Sequence, residues 1–330
     1  MKSRDKLTNM ATTALMVIAA LNQANPANAA LSQTNQANQP ASMGAAGSWT
    51  TTACGKHEFV VVPDHMYVKL EVQGANGTWA WGKYSGSGSN GGWGGNVVLT
   101  STLPTDYSGK SGLPYWVFGA TAGCTSPGSN SHDIPAAAGW APGGTGQWGG
   151  GAGGGASGVC VRGGTESCDH SNTTHMNFIA VAGGGGGGGG GTCAGQHGWN
   201  GGDGGTGSSS GHSSLGYTVW SGHDGRASPG SGAVPDLSIL PVDNAGGGGN
   251  YGGGQTAGAA GGGGGFVGGA KGKTYGGGCQ SGGGGGGGAD AWQTWEDSPL
   301  GPLFQLKFHG IGDAPSGGYV RIYWQPTPFN

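Results

Sequence analysis

The chain has 330 residues, of which 83 are glycine, while charged residues make up only 9% and the formal net charge is −3. Glycine at this density excludes an ordinary helical protein, because each glycine inside a helix costs about 1 kcal/mol relative to alanine. The low charge argues against nucleic acid as a partner, since nucleic-acid binding needs a basic surface.

The N-terminus is predicted to be a secretory signal peptide covering residues 1–29. A basic start precedes an apolar stretch over 10–21, and an A-x-A cleavage signal ends at Ala29. We expect a disordered lead-in over 30–47 and a single glycine-rich domain over 48–330. No later stretch is long and apolar enough to cross a bilayer. The sequence therefore predicts a secreted or cell-surface protein without a transmembrane segment in the mature chain.

Export favours disulfide bonds for the six cysteines, because extracellular compartments are oxidising. Cys160 and Cys168 are the best local pair, since they close a short loop between two apolar stretches; the other pairings stay open. The alternative is a zinc site of Cys168, His170 and His175, whose spacing fits no zinc module. The disulfide candidates are Cys54, Cys124, Cys160, Cys168, Cys193 and Cys279.

Short segments rich in β-branched and aromatic residues are predicted to be strands. The first covers 57–72 and is broken at Pro63-Asp64. Several of them run directly into glycine, most plainly 178–182 into Gly183. The remaining predicted strands are 96–103, 114–120, 157–161, 265–267 and 319–324.

Uninterrupted glycine runs alternate with these strands, and the longest is Gly183–Gly191. Collagen is excluded because no strict G-X-Y repeat occurs, and a calcium β-roll because aspartate does not recur at a fixed offset. A flexible linker is the alternative. We favour helices of the polyproline II type, which lack internal hydrogen bonds and can bond laterally when no Cβ separates them. The other runs are Gly246–Gly249, Gly261–Gly265, Gly282–Gly288 and a looser one over 143–155.

The ordered series of strands and glycine runs over about 57–324 resembles the glycine-rich extracellular domain of bacterial surface proteins. It is similar to the module in the ectodomains of anaplastic lymphoma kinase and leukocyte tyrosine kinase. The most specific element is the apolar strand that continues as glycine over 178–191. The polyglycine-helix adhesins of T-even-like bacteriophages also resemble it. This chain departs from the kinases in lacking a kinase region and from the phage adhesins in carrying an export signal.

The predicted fold class is mostly β and irregular. The resemblance implies β-sandwich-like strands joined to a bundle of polyglycine II helices, with long loops and very little α-helix after the signal peptide. It also implies an extracellular binding or structural role without catalysis. Gly207–Gly211 fits the G-x-S-x-G pattern of hydrolases but lacks the required flanking strand and helix. The sequence therefore predicts no enzyme, no cofactor and no metal.

Binding chemistry must lie in tryptophan-rich insertions, because glycine helices offer no side chains. An indole beside polar groups suits sugar recognition; the alternative is that the tryptophans cover the faces of the bundle. The candidate ligand-binding residues are Trp79, Trp81, Trp199, Trp220, His223, Asp224, Arg226, Trp292 and Trp295.

The function predicted from the sequence is an exported, non-enzymatic surface or extracellular protein that acts as a rigid scaffold or adhesive structural protein. The alternative is an adhesin that recognises a glycan or a cell-surface receptor through its tryptophan-rich loops. A third alternative, an ice-binding protein, would need regularly spaced alanine or threonine, and no T-x-x repeat occurs. Self-association is a further expectation, because an outer glycine helix resembles an exposed sheet edge.

Overall fold

The computed structural model describes residues 44–81, 88–108, 117–127, 133–161, 168–169, 178–191, 200–205, 210–212, 217–220, 260–272, 284–293, 303–312 and 317–330. These residues belong to one unit, Met43–Asn330. They form strands and no helix, which confirms the mostly-β prediction for this part of the chain. The predicted signal peptide and the lead-in up to residue 43 lie outside the described residues.

The strands are β1 (Gly47–Thr51), β2 (His57–Val61), β3 (Tyr67–Gln73), β4 (Gly95–Ser101), β5 (Val117–Thr121), β6 (Asp133–Ile134), β7 (Gly146–Gln147), β8 (Ser157–Val161), β9 (Phe178–Ala182), β10 (Ser210–His212), β11 (Tyr217–Trp220), β12 (Asp290–Gln293), β13 (Phe304–Ile311) and β14 (Tyr319–Gln325).

Most of these strands form two antiparallel sheets. The five-stranded sheet has the order β1-β14-β3-β4-β13, and the seven-stranded sheet has the order β10-β11-β12-β9-β8-β5-β2. Alternation along β3 places Val68, Leu70 and Val72 in the interior and leaves Lys69 and Glu71 partly exposed. This two-residue period is what a strand with one buried face requires.

One hydrophobic core receives side chains from both large sheets. Leu70, Leu99 and Ile322 come from the five-stranded sheet, and Phe118 and Ile179 come from the seven-stranded sheet. Each of these side chains is at most 1% exposed. Burying one such side chain contributes about 1.5–3 kcal/mol, so the shared core stabilises both sheets together.

The predicted strands 157–161 and 178–182 match β8 and β9. The predicted segment 57–72 divides into β2 and β3 around Pro63-Asp64, as expected. The prediction of a strand at 265–267 is wrong, since these residues form bends. Their hydrogen bonds run to Ala289, which accepts from the Phe266 N–H and donates to the Val267 carbonyl, both at 2.9 Å.

Glycine-rich segments continue directly from the strands and lie side by side. Segment 74–81 follows β3, and segment 183–191 follows β9. Together these segments are called the glycine array here: a central segment, 183–191, and six surrounding segments, 74–81, 88–95, 150–156, 200–205, 260–265 and 284–289.

The central segment hydrogen-bonds to all six surrounding segments, with a repeat of three residues. Its N–H groups donate at 2.7–3.0 Å to three of them: Gly184 and Gly187 to segment 260–265, Gly185 and Gly188 to segment 74–81, and Gly186 to segment 200–205. Its carbonyls accept at 2.7–2.9 Å from the other three: Gly183 and Gly186 from segment 88–95, Gly184 and Gly187 from segment 284–289, and Gly185 and Gly188 from segment 150–156.

The six surrounding segments also bond to one another and close a ring. Consecutive members share main-chain hydrogen bonds of 2.8–3.0 Å in the order 74–81, 88–95, 200–205, 284–289, 260–265, 150–156 and back to 74–81. Buried main-chain groups thus find partners outside any sheet or α-helix, as burial demands.

The close approach of these backbones explains why the central residues are glycine. A Cβ added at any position from Gly183 to Gly188 would lie closer than 3.0 Å to a carbonyl oxygen of a neighbouring segment. Real Cβ atoms essentially never come that close, so even alanine would force the backbones apart.

We predict that Gly186→Ala destabilises the protein by about 3 kcal/mol, because its Cβ would overlap the Gly285 carbonyl in a place where only main chain could move. The matched control is Gly317→Ala, whose Cβ would meet its nearest heavy atom at 3.9 Å. Thermal denaturation should show a lower midpoint temperature for Gly186→Ala. The free energy of unfolding of Gly317→Ala should stay within about 0.5 kcal/mol of the wild type, so its midpoint should barely change. Equal midpoints for the two variants would contradict the packing described here.

Candidate functional site

The solvent-facing side of the glycine array carries side chains at every third residue of three consecutive segments. Because the hydrogen-bond pattern repeats every three residues, residues three apart lie on the same side of a segment. Trp79, Trp81 and Trp93 are 47%, 42% and 46% exposed. The outer face is defined here as Asn76 and Trp79 of the first segment, Asn90 and Trp93 of the second, and Asn200 and Asp203 of the third, with Trp81 beside Trp79.

Some main-chain N–H groups at the outer face have no neighbouring glycine segment as acceptor. Polar side chains of the outer face accept hydrogen bonds from them instead. The Asn76 Oδ1 accepts from the Gly94 N–H at 2.9 Å. The Asp203 Oδ1 accepts from the Trp93 N–H at 2.7 Å, and the Asn200 Oδ1 accepts from the Asn90 N–H at 3.2 Å. These bonds satisfy outward-pointing donors and hold the three polar side chains in place.

Tryptophan and amide groups alternate across the outer face. Ala80 donates to Ser89 in the antiparallel pairing of the first two segments, which places Trp79 level with Asn90. The same pairing places Asn76 level with Trp93. The rings of Trp79 and Trp81 have centroids 4.8 Å apart and planes tilted by 41°, a separation typical of aromatic pairs. The result is a surface on which the Trp79–Trp81 pair and Trp93 lie among hydrogen-bonding groups.

Of the ligand-binding residues predicted from the sequence, the structure brings Trp79 and Trp81 together. Trp292 is only 3% exposed and belongs to the hydrophobic core. Its assignment to a binding surface is therefore wrong, because it packs among strand residues of the hydrophobic core. The alternative left open by the sequence, that the tryptophans cover the faces of the bundle, does not describe Trp292 either. Trp220 is the last residue of β11, and its backbone pairs with Asp290. The other candidates, Trp199, His223, Asp224, Arg226 and Trp295, lie outside the described residues.

Sequence reasoning missed five members of the outer face, Asn76, Asn90, Trp93, Asn200 and Asp203. A signal for them does exist: asparagine precedes tryptophan or aspartate by three residues in each of the three segments. Three residues per turn is the period of a polyproline II helix. A search for that period, in place of the strand period of two, would have found the face.

A buried carboxyl group lies where segment 284–289 enters β12. Asp290 is fully buried; its Oδ1 accepts from the Gly183 N–H at 2.6 Å, and its Oδ2 lies 3.1 Å from the His309 Nε2. Burial raises the pKa of Asp290 above its ordinary value, while the hydrogen bond and charge of His309 and the Gly183 N–H oppose that rise. The side chain therefore binds the first N–H of the central segment, at the boundary between sheet and glycine array.

Two disulfides support the predicted cysteine chemistry. Cys54 pairs with Cys124, and Cys160 pairs with Cys168 as expected from the sequence. The second disulfide removes the Cys168 thiolate that the alternative zinc site requires. Cys193 and Cys279 lie outside the described residues.

Within the described ranges, no group of three or more histidine, cysteine, aspartate or glutamate side chains is arranged to hold a metal ion. Within the same ranges, no helix has the length and apolar character needed to cross a membrane.

No protein-family model matches the sequence, and no curated protein is significantly similar to it. Function must therefore be inferred from the geometry of the glycine array and its outer face.

We predict that Asp290→Asn makes stability less dependent on pH. The pKa of Asp290 is higher in the folded protein than in the unfolded chain. Its contribution to the free energy of unfolding is therefore complete below the unfolded-state pKa and is lost as the pH rises through the folded-state pKa. The asparagine retains an Oδ1 acceptor for the Gly183 N–H but cannot ionise. Urea denaturation from acidic to neutral pH should show a falling free energy of unfolding for the wild type relative to the variant. Parallel curves would contradict this assignment.

Asp290→Ala should destabilise the protein at every pH by about 1–3 kcal/mol relative to Asp290→Asn, because it leaves the buried Gly183 N–H without its acceptor. The same urea titrations provide the measurement. Equal stability of the alanine and asparagine variants would show that the hydrogen bond to Gly183 contributes nothing.

Proposed function

We propose that the protein is an exported, non-enzymatic scaffold of the cell surface or extracellular space, whose rigid element is a bundle of polyglycine II helices joined to a β-sandwich-like body. The observation that carries this proposal is the central segment, which bonds to six surrounding segments with a repeat of three residues. Helices of the polyproline II type have three residues per turn and no internal hydrogen bonds. Their main-chain groups point outward, so each turn can bond to neighbours on all sides.

Rigidity follows from how the array is held. Ordering a residue costs about 1–2 kcal/mol of backbone entropy, and glycine loses the most conformational freedom. A lateral hydrogen bond returns only about 0.5–1.5 kcal/mol. The array therefore depends on the hydrophobic core of the adjoining sheets and on the disulfides. A flexible linker, the alternative left open by the sequence, would not share main-chain hydrogen bonds with six neighbours.

The residues of the central segment support a role without catalysis. Gly183–Gly191 has no side chain that could act as a nucleophile, acid or base, and a Cβ is already too large for most of its positions. The disulfides are typical of exported proteins, which agrees with the signal peptide predicted over 1–29. The resemblance to glycine-rich extracellular domains and to phage adhesins also supports an extracellular role without catalysis.

An adhesin is the second candidate function, favoured by the exposed Trp79–Trp81 pair on the outer face. The ice-binding alternative would need regularly spaced alanine or threonine. The outer face carries tryptophan, asparagine and aspartate at those spacings instead, so we do not propose ice as a ligand.

Export and rigidity are tested together by fractionating cells that produce the full chain. We expect a mature protein that begins at Ala30, lies outside the cytoplasm and resists cleavage by proteases of broad specificity within the seven segments of the glycine array, because main-chain hydrogen bonds join each segment to its neighbours. The Gly186→Ala variant should be cleaved faster. A protein retained in the cytoplasm, or wild-type and variant chains cleaved at the same rate, would contradict the proposed function.

A further inference from the structure

Three exposed indoles lie on a surface otherwise built from main chain, asparagine amides and the Asp203 carboxylate. Trp79, Trp81 and Trp93 are each more than two-fifths exposed. Their positions are set by main-chain hydrogen bonds between segments 74–81 and 88–95. A ligand that matches this arrangement would find it already ordered, so binding would not have to meet the entropy cost of ordering loops.

The spacing and chemistry of the outer face match a sugar polymer. Residues three apart lie about 9 Å apart along a polyproline II helix, at about 3.1 Å per residue, which is close to the length of two pyranose rings. A pyranose presents apolar C–H groups on its ring faces and hydroxyls on its rim. An indole face beside a fixed polar group satisfies both. Trp93 beside the Asp203 carboxylate, which accepts from the Trp93 N–H, supplies that combination. The pairing of the first two segments places the polar residue Asn90 level with Trp79.

Other ligand classes fit the outer face less well. None of its members is lysine or arginine, and Asp203 would repel phosphates, which disfavours nucleic acid. A stable protein interface buries a contiguous apolar centre, whereas here amide groups separate Trp79 from Trp93. The face offers no charge complementary to an acidic polysaccharide.

We propose that the outer face binds a neutral, unbranched polysaccharide whose sugars are joined by equatorial linkages, as in cellulose or chitin. Equatorial linkages make the chain straight and ribbon-like, so two rings of one chain, separated by a single intervening ring, can lie on Trp79 and Trp93 together. Axial linkages coil the chain and would bring only one ring at a time to the face. The inference requires that the glycine array is ordered as proposed, but it adds a ligand to the scaffold function.

The test is co-sedimentation of the full-length secreted protein with insoluble cellulose and chitin, with insoluble amylose as the axially linked control. Wild-type protein should sediment with cellulose or chitin and remain in solution with amylose. Trp79→Ala and Trp93→Ala should each weaken binding about tenfold, the loss expected for one good aromatic contact.

Phe308→Ala is the matched control, because this aromatic side chain is 48% exposed on the edge strand β13 and not on the glycine array. Its affinity for the polysaccharide should equal that of the wild type. Asp203→Asn keeps the acceptor for the Trp93 N–H and should also bind. Failure to bind cellulose and chitin, equal binding to amylose, or an equal loss in the Phe308 variant would overturn the proposal.

Thermal denaturation of each variant separates this proposal from the scaffold function. Substitutions at exposed tryptophans should leave the midpoint of thermal denaturation within about 2 °C of the wild type. A stable, protease-resistant protein that binds no polysaccharide would refute the ligand proposal alone. A protein whose glycine array is digested like an unfolded chain would refute the scaffold function as well.

Discussion

Main-chain hydrogen bonds between closely packed, glycine-rich segments join the members of the glycine array. Each carbonyl or N–H along Gly184–Gly188 bonds to a different neighbour from the one before it, and the pattern returns after three residues. This is possible only where the backbones approach more closely than a Cβ permits. The uninterrupted glycines over Gly183–Gly188 follow from that requirement.

The sheets and the glycine array depend on each other at their boundary. Strands β3, β4, β8, β9 and β12 each continue as a segment of the array. Polar side chains complete the main-chain bonding where the two geometries meet: Ser157 donates to the Gln73 carbonyl at 2.5 Å and accepts from the Gly123 N–H at 2.9 Å. The hydrophobic core thus provides the stability that lateral glycine bonding lacks, and the disulfides constrain the unfolded chain.

Strands were predictable from the sequence where short runs of β-branched and apolar residues are buried, as in β8 and β9. Strand β13 was not, because Gln305, Leu306, Lys307 and Phe308 are all exposed at a sheet edge, so no buried face imposes a period of two. The glycine runs indicated lateral packing, but the sequence does not reveal which segment lies beside which. For that reason the sequence predicts Trp79 and Trp81 as surface residues without Trp93, and wrongly predicts a surface position for Trp292, which packs in the core beside His309 of the other sheet.

The central claim is that Gly183–Gly188 are ordered by main-chain hydrogen bonds to six neighbouring segments. Amide hydrogen exchange measured by NMR on the full chain tests it most directly. These six amides should exchange as slowly as those of the core strand β9, because each N–H is buried and bonded. Exchange at the rate of an unfolded glycine peptide, with β9 still protected, would contradict the account.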